Sequence, residues 1–135
     1  MERDSPLVLV VDDNLAMLDL TSVTLLHAGY RTETAEGGAD VMRRVNEHRP
    51  DLILLDLMMP DVDGFTVLLQ LRGDPKTRDI PVIVVSAADK ELGRKAVEDY
   101  GADAFWGKHE IDIFTLRERV ASVLRNKQPH RLPTA

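Results

Sequence analysis

The sequence predicts an α/β fold, a doubly wound sheet of five parallel strands in the order 2-1-3-4-5 with helices on both faces. Strand-sized apolar runs without polar alternation, Leu7–Val11, Leu52–Leu55 and Ile80–Ser86, are what strands covered on both faces require. A helical pattern closed by Gly or Pro follows each run. The connections between successive strands are too short for anything but right-handed crossovers. At 135 residues the chain reads as one domain, able to bury roughly two-thirds of its unfolded surface in a single core.

Taken in order, Leu7–Val11 is rich in β-branched residues and suits a central strand. From Asn14 to about Ala28, Leu15, Leu18, Val23, Leu25 and Leu26 are expected to form one helical stripe, with Gly29 as the cap. Tyr30–Ala35 alternates weakly, as an edge strand does, and Gly37-Gly38 breaks it. Val41, Met42, Val45 and His48 mark a second helix that stops before Pro50. Leu52–Leu55 is the central strand, and the loop after it, Met59 to Gly64, is expected to turn at Pro60 and at a positive-φ Gly64. Phe65, Val67, Leu68, Leu69 and Leu71 give a third helix closed by Gly73-Asp-Pro75. After Ile80–Ser86 comes a short helix over Leu92, Ala96, Val97 and Tyr100. Gly93 interrupts it at a cost of about 1 kcal/mol relative to Ala. Ala104–Gly107 is the fifth strand, and Ile111, Phe114, Leu116, Val120 and Leu124 mark the last helix. Residues 1–125 therefore form the domain, and 126–135, with two prolines and no periodicity, read as a flexible tail or the start of a linker.

Composition removes several classes of function. The chain has no cysteine, which excludes disulfides and thiolate metal sites. A net charge of −6 with mixed signs argues against direct nucleic-acid binding. No apolar run is long enough for a bilayer, so no membrane association and a cytoplasmic location are expected.

The chemistry gathers at the carboxyl ends of the strands. Asp12 and Asp13 follow the first strand and Asp56 follows the third, so the order 2-1-3-4-5 brings them to its switch point, where open α/β sheets bind ligands. Like charges raise one another's pKa, and a hard divalent cation with oxygen ligands offsets that repulsion. Mg²⁺ fits, with Mn²⁺ able to substitute; Asp13 and Asp56 are direct ligands, and Asp12 acts directly or through water. The plainer reading is that Asp12 and Asp13 cap the first helix. Ser86 and Lys108, at the ends of the fourth and fifth strands, place a hydroxyl and a cation beside the acids. Asp56 could then attack phosphorus to give an aspartyl phosphate, with Mg²⁺ and Lys108 stabilising the equatorial oxygens.

Four stretches carry a resemblance: Val10-Val-Asp-Asp13, Leu54 to Gly64, Pro81 to Ala87, and Gly101 to Lys108. With them the chain resembles a receiver domain of a two-component response regulator, whose fold is the flavodoxin-like (βα)5 three-layer sandwich. The resemblance implies that Asp56 accepts a phosphoryl group from a sensor histidine kinase or a phosphotransfer protein. It also implies that Asp12, Asp13, Asp56 and the main-chain carbonyl of Met58 hold Mg²⁺. Ser86 takes the Ser/Thr switch position, Lys108 the lysine position and Phe105 the aromatic switch position. Phosphorylation would repack the face of the fourth helix, fifth strand and fifth helix, where an output domain, a downstream protein or a second copy in a phosphorylation-dependent homodimer would dock. Trp106, adjacent to Phe105, should point oppositely into the core.

Two positions depart from expectation. Receivers usually carry Pro after the lysine with a cis bond; here the residue is His109, and a cis bond without Pro costs about 2.5–4 kcal/mol, so Lys108–His109 is expected to be trans. Met58, at the mouth of the site, and Ala88 offer nothing to orient a hydrolytic water, which predicts a long-lived phosphoryl group. A haloacid-dehalogenase-like phosphohydrolase would need a second Asp where Met58 stands. The chain is therefore read as a signalling module and not a turnover enzyme, the alternative being a receiver-like interaction module that works without phosphorylation.

Overall fold

The structure, a computed structural model, describes residues 5–131, with side chains described through residue 126. Strands β1 (Leu7–Val11), β2 (Arg31–Ala35), β3 (Leu52–Leu55), β4 (Val82–Ser86) and β5 (Ala104–Gly107) alternate with helices α1 (Leu15–His27), α2 (Val41–Glu47), α3 (Gly64–Gly73), α4 (Lys90–Tyr100) and α5 (Ile113–Arg131). The five strands form one parallel sheet in the order β2-β1-β3-β4-β5, as the sequence predicts.

Strand alternation sorts the core onto two faces. Val8, Val10, Leu52, Leu54, Ile83 and Trp106 pack with Leu18, Leu25, Leu116 and Val120 of α1 and α5. Leu9, Val11, Ile53, Leu55, Val82 and Val84 pack on the other face with α2, α3 and α4. Each such Leu or Ile contributes roughly 1.5–3 kcal/mol when fully buried, and both faces are filled, which is why the strand runs show no polar alternation.

Helix starts follow strand ends closely because an Asn or Asp waits there. Asn14 Oδ1 accepts from the Met17 amide (3.1 Å), Asp63 from Thr66 (2.9 Å), Asp89 from Leu92 (2.9 Å) and Asp112 from Thr115 (2.8 Å). Arg72 of α3 donates to the carbonyls of Gly101 (2.9 Å) and Ile80 (2.8 Å), and Asp103 accepts the Val82 amide (2.8 Å). These bonds fix the entry to β5 against β4, and so fix where β5 ends.

Four expectations need correction. Leu18 and Leu25 of α1 are buried, whereas Leu15, Val23 and Leu26 are exposed. At 100° per residue, Val23 lies far round the helix from Leu18, so the stripe is narrower than the apolar count suggests. β4 starts at Val82, since the Pro81 carbonyl accepts from Ile53 (2.9 Å) but Pro81 has no amide to return. α5 runs to Arg131, past the tail expected from Asn126. Residues 132–135 of the expected tail lie outside the described residues. Finally, the positive φ in the loop after β3 belongs to Asp61 (φ 65°), not to Gly64.

Gly64 is needed for a different reason. A Cβ there would lie 2.4 Å from the Asp56 carbonyl oxygen and 2.7 Å from Leu57 Cα, so the start of α3 presses on the backbone that carries Asp56. Gly64→Ala is expected to lower stability by about 1–3 kcal/mol, as overpacking does, read as a fall in the urea midpoint. An unchanged midpoint would contradict the close approach.

Candidate functional site: an acid cluster bridged by a lysine

The sheet's hydrogen-bond ladder continues one residue beyond β1 and β3. The Asp12 amide donates to the Ala35 carbonyl (3.1 Å) and the Asp56 amide to the Val11 carbonyl (3.0 Å), which fixes the backbone of both acids at the sheet edge. Their side chains are almost completely buried, at 6% and 4% relative exposure for the residues, while Asp13 is exposed. Carboxylate oxygens of Asp12, Asp13 and Asp56 lie within 4.8 Å of one another, close enough to share one metal ion. The helix-cap reading of Asp12 and Asp13 fails, since Asn14 caps α1.

Lys108 arrives from the far side of the sheet. Ser86 pairs with Gly107 across β4 and β5, and the next residue sends its ammonium 2.8 Å from Asp12 Oδ2 and 3.2 Å from Asp56 Oδ2. The second oxygens are also engaged: Asp12 Oδ1 accepts from the Asn14 amide (2.9 Å) and Asp56 Oδ1 from the Met58 amide (3.2 Å). Burial lifts the Asp12 carboxyl above its ordinary pKa, against the lowering effect of the bonds from Lys108 and Asn14. Burial also penalises the Lys108 ammonium, but its bond to Asp12 and the charges of Asp56 and Asp12 outweigh that, so its pKa is raised and it stays protonated.

The structure thus brings together Asp12, Asp13, Asp56 and Lys108. Ser86 ends β4 fully buried, and its Oγ accepts from the Ala88 amide (3.2 Å). Phe105 packs against the α2–α4 side and Trp106 against the α1–α5 side, so the two rings point oppositely. The Lys108–His109 bond is trans, as expected, and Lys108–Glu110 forms a 3-10 turn. Met58 is 58% exposed at the mouth of the site.

Sequence reasoning finds in Gly93 only a weak point of the helix and misses its contact with Phe105. A Cβ there would lie 2.3 Å from Phe105 Cδ2, so the ring occupies the place a larger α4 residue would take. The glycine that weakens the helix seats the aromatic ring. Its spacing from Phe105 crosses two elements, so no local pattern announces it.

A family model described as the response regulator receiver domain matches residues 8–121. The chain is 39% identical over 130 residues to the DNA-binding dual master transcriptional regulator RpaA of Synechocystis sp., covering 96% of this chain and 53% of that protein. It is 41% identical over 120 residues to the response regulator PleD of Caulobacter vibrioides, covering 89% of this chain and 26% of that one. The chain therefore spans about half the length of the first relative and about a quarter of the second. Among solved structures it resembles the receiver domain of the Francisella response regulator 1452, with a TM-score of 0.81 and 29% identity, covering 91% of this chain and 99% of that chain.

Removing the lysine leaves Asp12 and Asp56 buried without a counter-charge. In metal-free buffer, Lys108→Met is expected to destabilise the protein most at neutral pH. A carboxyl whose folded pKa lies above its unfolded value favours folding fully only below the unfolded pKa, and that favour is lost as pH rises through the folded pKa. The deficit should therefore shrink as pH falls through the carboxylate range. Equal loss of urea midpoint at pH ~7 and pH ~4.5 would contradict this account of the cluster.

Proposed function

The chain belongs to the response regulator receiver domain family, and from that membership we propose that it is the phosphoacceptor module of a two-component phosphorelay, with Asp56 as the acceptor. The observation that carries the reading is one ammonium shared by two buried carboxylates on neighbouring strands, with a third carboxylate beside them. The donor is a sensor histidine kinase or a phosphotransfer protein. An Asp56 oxygen attacks phosphorus, the bond from phosphorus to the donor's imidazole nitrogen breaks, and the electron pair leaves with that nitrogen, which takes up a proton. Lys108, already 3.2 Å from Asp56, turns to the phosphoryl oxygens and balances their charge.

The donor set fits a hard cation, since Asp12, Asp13 and Asp56 offer only oxygens and lie within reach of one ion. Mg²⁺, or Mn²⁺ in its place, would be held by Asp13, Asp56, the Met58 carbonyl and Asp12, directly or through water. Once bound, it would supply charge neutralisation between acceptor and phosphoryl oxygens. Beyond this self-catalysed transfer and its reversal by hydrolysis, the module is not an enzyme.

The readout arises from the added charge of roughly −1.5 to −2. Ser86 exchanges its bond with the Ala88 amide for one to the phosphoryl group, and Phe105 leaves its seat on Gly93 for the space behind Ser86. That repacks the α4–β5–α5 face for an output domain, a downstream protein or a second copy of the chain. Residues 1–125 act as the receiver, and the segment after residue 125, which first continues α5, leads to an output domain, a reading supported by relatives about twice as long or longer. A cytoplasmic location agrees with this, and among the described residues no helix is long and apolar enough to cross a membrane.

Incubation with acetyl phosphate and Mg²⁺ is expected to add one phosphoryl group by intact mass, and Asp56→Asn is expected to add none. No gain on the wild type would favour an interaction module that works without phosphorylation, the reading that His109 invites. Exposed Met58 and small Ala88 present no group to orient water, so the phosphoryl group on purified protein is expected to last minutes or more. Loss of radiolabel within seconds would contradict that.

A further inference from the structure

Below the acid cluster, on the α1–α5 side of the sheet, lies a cavity of about 260 Å³. Met17, Leu20 and Thr21 wall it from α1, Ile111 from the segment before α5, and Ile113 and Leu116 from the start of α5. Thr24 also reaches it, but its hydroxyl is spent on the Leu20 carbonyl (2.7 Å), so it adds no free donor. At the other end the cavity reaches Asp12, Asp56 and Lys108, and Asp112 lines it too. The shape is therefore an apolar slot with one polar end. An apolar cavity of about 150 Å³ is enough to take benzene, so this one has room for a single ring or branched alkyl body and a short polar head. It is smaller than the roughly 300–1,000 Å³ typical of drug-sized ligands.

The sign of the head follows from the lining. Two buried carboxylates, Asp12 and Asp56, share one ammonium there, and Asp112 adds a third carboxylate to the lining from its exposed place before α5. A carboxylate or phosphate head would meet net negative charge, whereas a cationic head would meet two desolvated acids whose charge is only partly balanced. We propose that the cavity binds a small aralkyl ammonium, its apolar body between α1 and α5 and its positive head at the Asp12–Asp56 end. The head would use the oxygens assigned above to the divalent cation, so the occupant would exclude the metal and hold Asp56 unreactive. In that respect alone the inference rests on the proposed function.

The test is a titration of the full, metal-free chain followed by ¹⁵N–¹H chemical shifts, using 2-phenylethylamine, 2-phenylethanol and phenylacetate as cationic, neutral and anionic probes. The amine is expected to shift the amides of Thr21, Ile113 and Leu116 and to bind at least ~10-fold more tightly than phenylacetate, a difference of about 1.4 kcal/mol. Mg²⁺ should raise the amine's apparent Kd. Thr21→Trp, which fills the slot, should abolish binding. Asp112→Asn keeps a residue able to cap α5 and should weaken the amine while leaving the alcohol unchanged. Equal binding of amine and phenylacetate, shifts confined to other amides, binding retained in folded Thr21→Trp, or no competition with Mg²⁺ would each overturn the proposal. No phosphodonor is present, so the outcomes separate. A chain that binds the amine yet takes no phosphoryl group from acetyl phosphate keeps this inference and loses the proposed function; one that is phosphorylated but binds no amine does the reverse.

Discussion

Asp12 and Asp56 end neighbouring strands and are withdrawn from water, an arrangement that costs free energy unless a positive charge stands between them, and the Lys108 ammonium stands there. Much of the architecture exists to deliver that ammonium. In the order β2-β1-β3-β4-β5, β5 lies three places from β1. At about 4.8 Å per strand that is about 14 Å, more than a lysine side chain spans, so the segment after β5 has to lean over the sheet edge. The 3-10 turn Lys108–Glu110 begins at the lysine itself, and the clasp of Arg72, Asp103 and Val82 fixes where β5 starts.

Two glycines shape the surroundings by what they lack. Gly64 lets α3 begin directly on the backbone of Asp56 and Leu57, so the main chain of Asp56 is held from the helix side as well as by the ladder to β1. Gly93 gives up helix propensity in α4 to receive the ring of Phe105. The first contact makes the acid cluster rigid. The second seats the Phe105 ring of β5 directly against the backbone of α4.

Legibility in the sequence differs from residue to residue. The strands were legible because each central run is apolar on both faces, and the positions of Asp12, Asp13, Asp56 and Lys108 followed from strand order, since a parallel sheet brings all its carboxyl ends to one edge. The buried stripe of α1 was not, because several apolar residues there face solvent and only the helical angle tells Leu18 and Leu25 from Val23. The end of α5 is not legible because apolar periodicity reports burial, not helicity. Gly64 was identified as special for the wrong reason, and Gly93 was counted only as a weakness. Both depend on contacts between elements, which a local pattern does not contain.

His109 in place of proline is compatible with the bridging lysine, since the bond before it is trans and Lys108 still reaches both acids. The same leaning segment contributes Ile111 and Ile113 to the wall of the cavity beneath the cluster, so the chain's departure from its family and its apolar slot share one loop. The account turns on Lys108 leaving Asp12 for the new oxygens when Asp56 is charged. A crystal structure of the chain with Mg²⁺ and beryllium trifluoride, a phosphoryl mimic, tests this most directly. The account predicts the fluoride on Asp56, with the Lys108 ammonium bonded to it and parted from Asp12. Fluoride bound elsewhere, or Lys108 still bridging the two carboxylates beside an occupied Asp56, would contradict it.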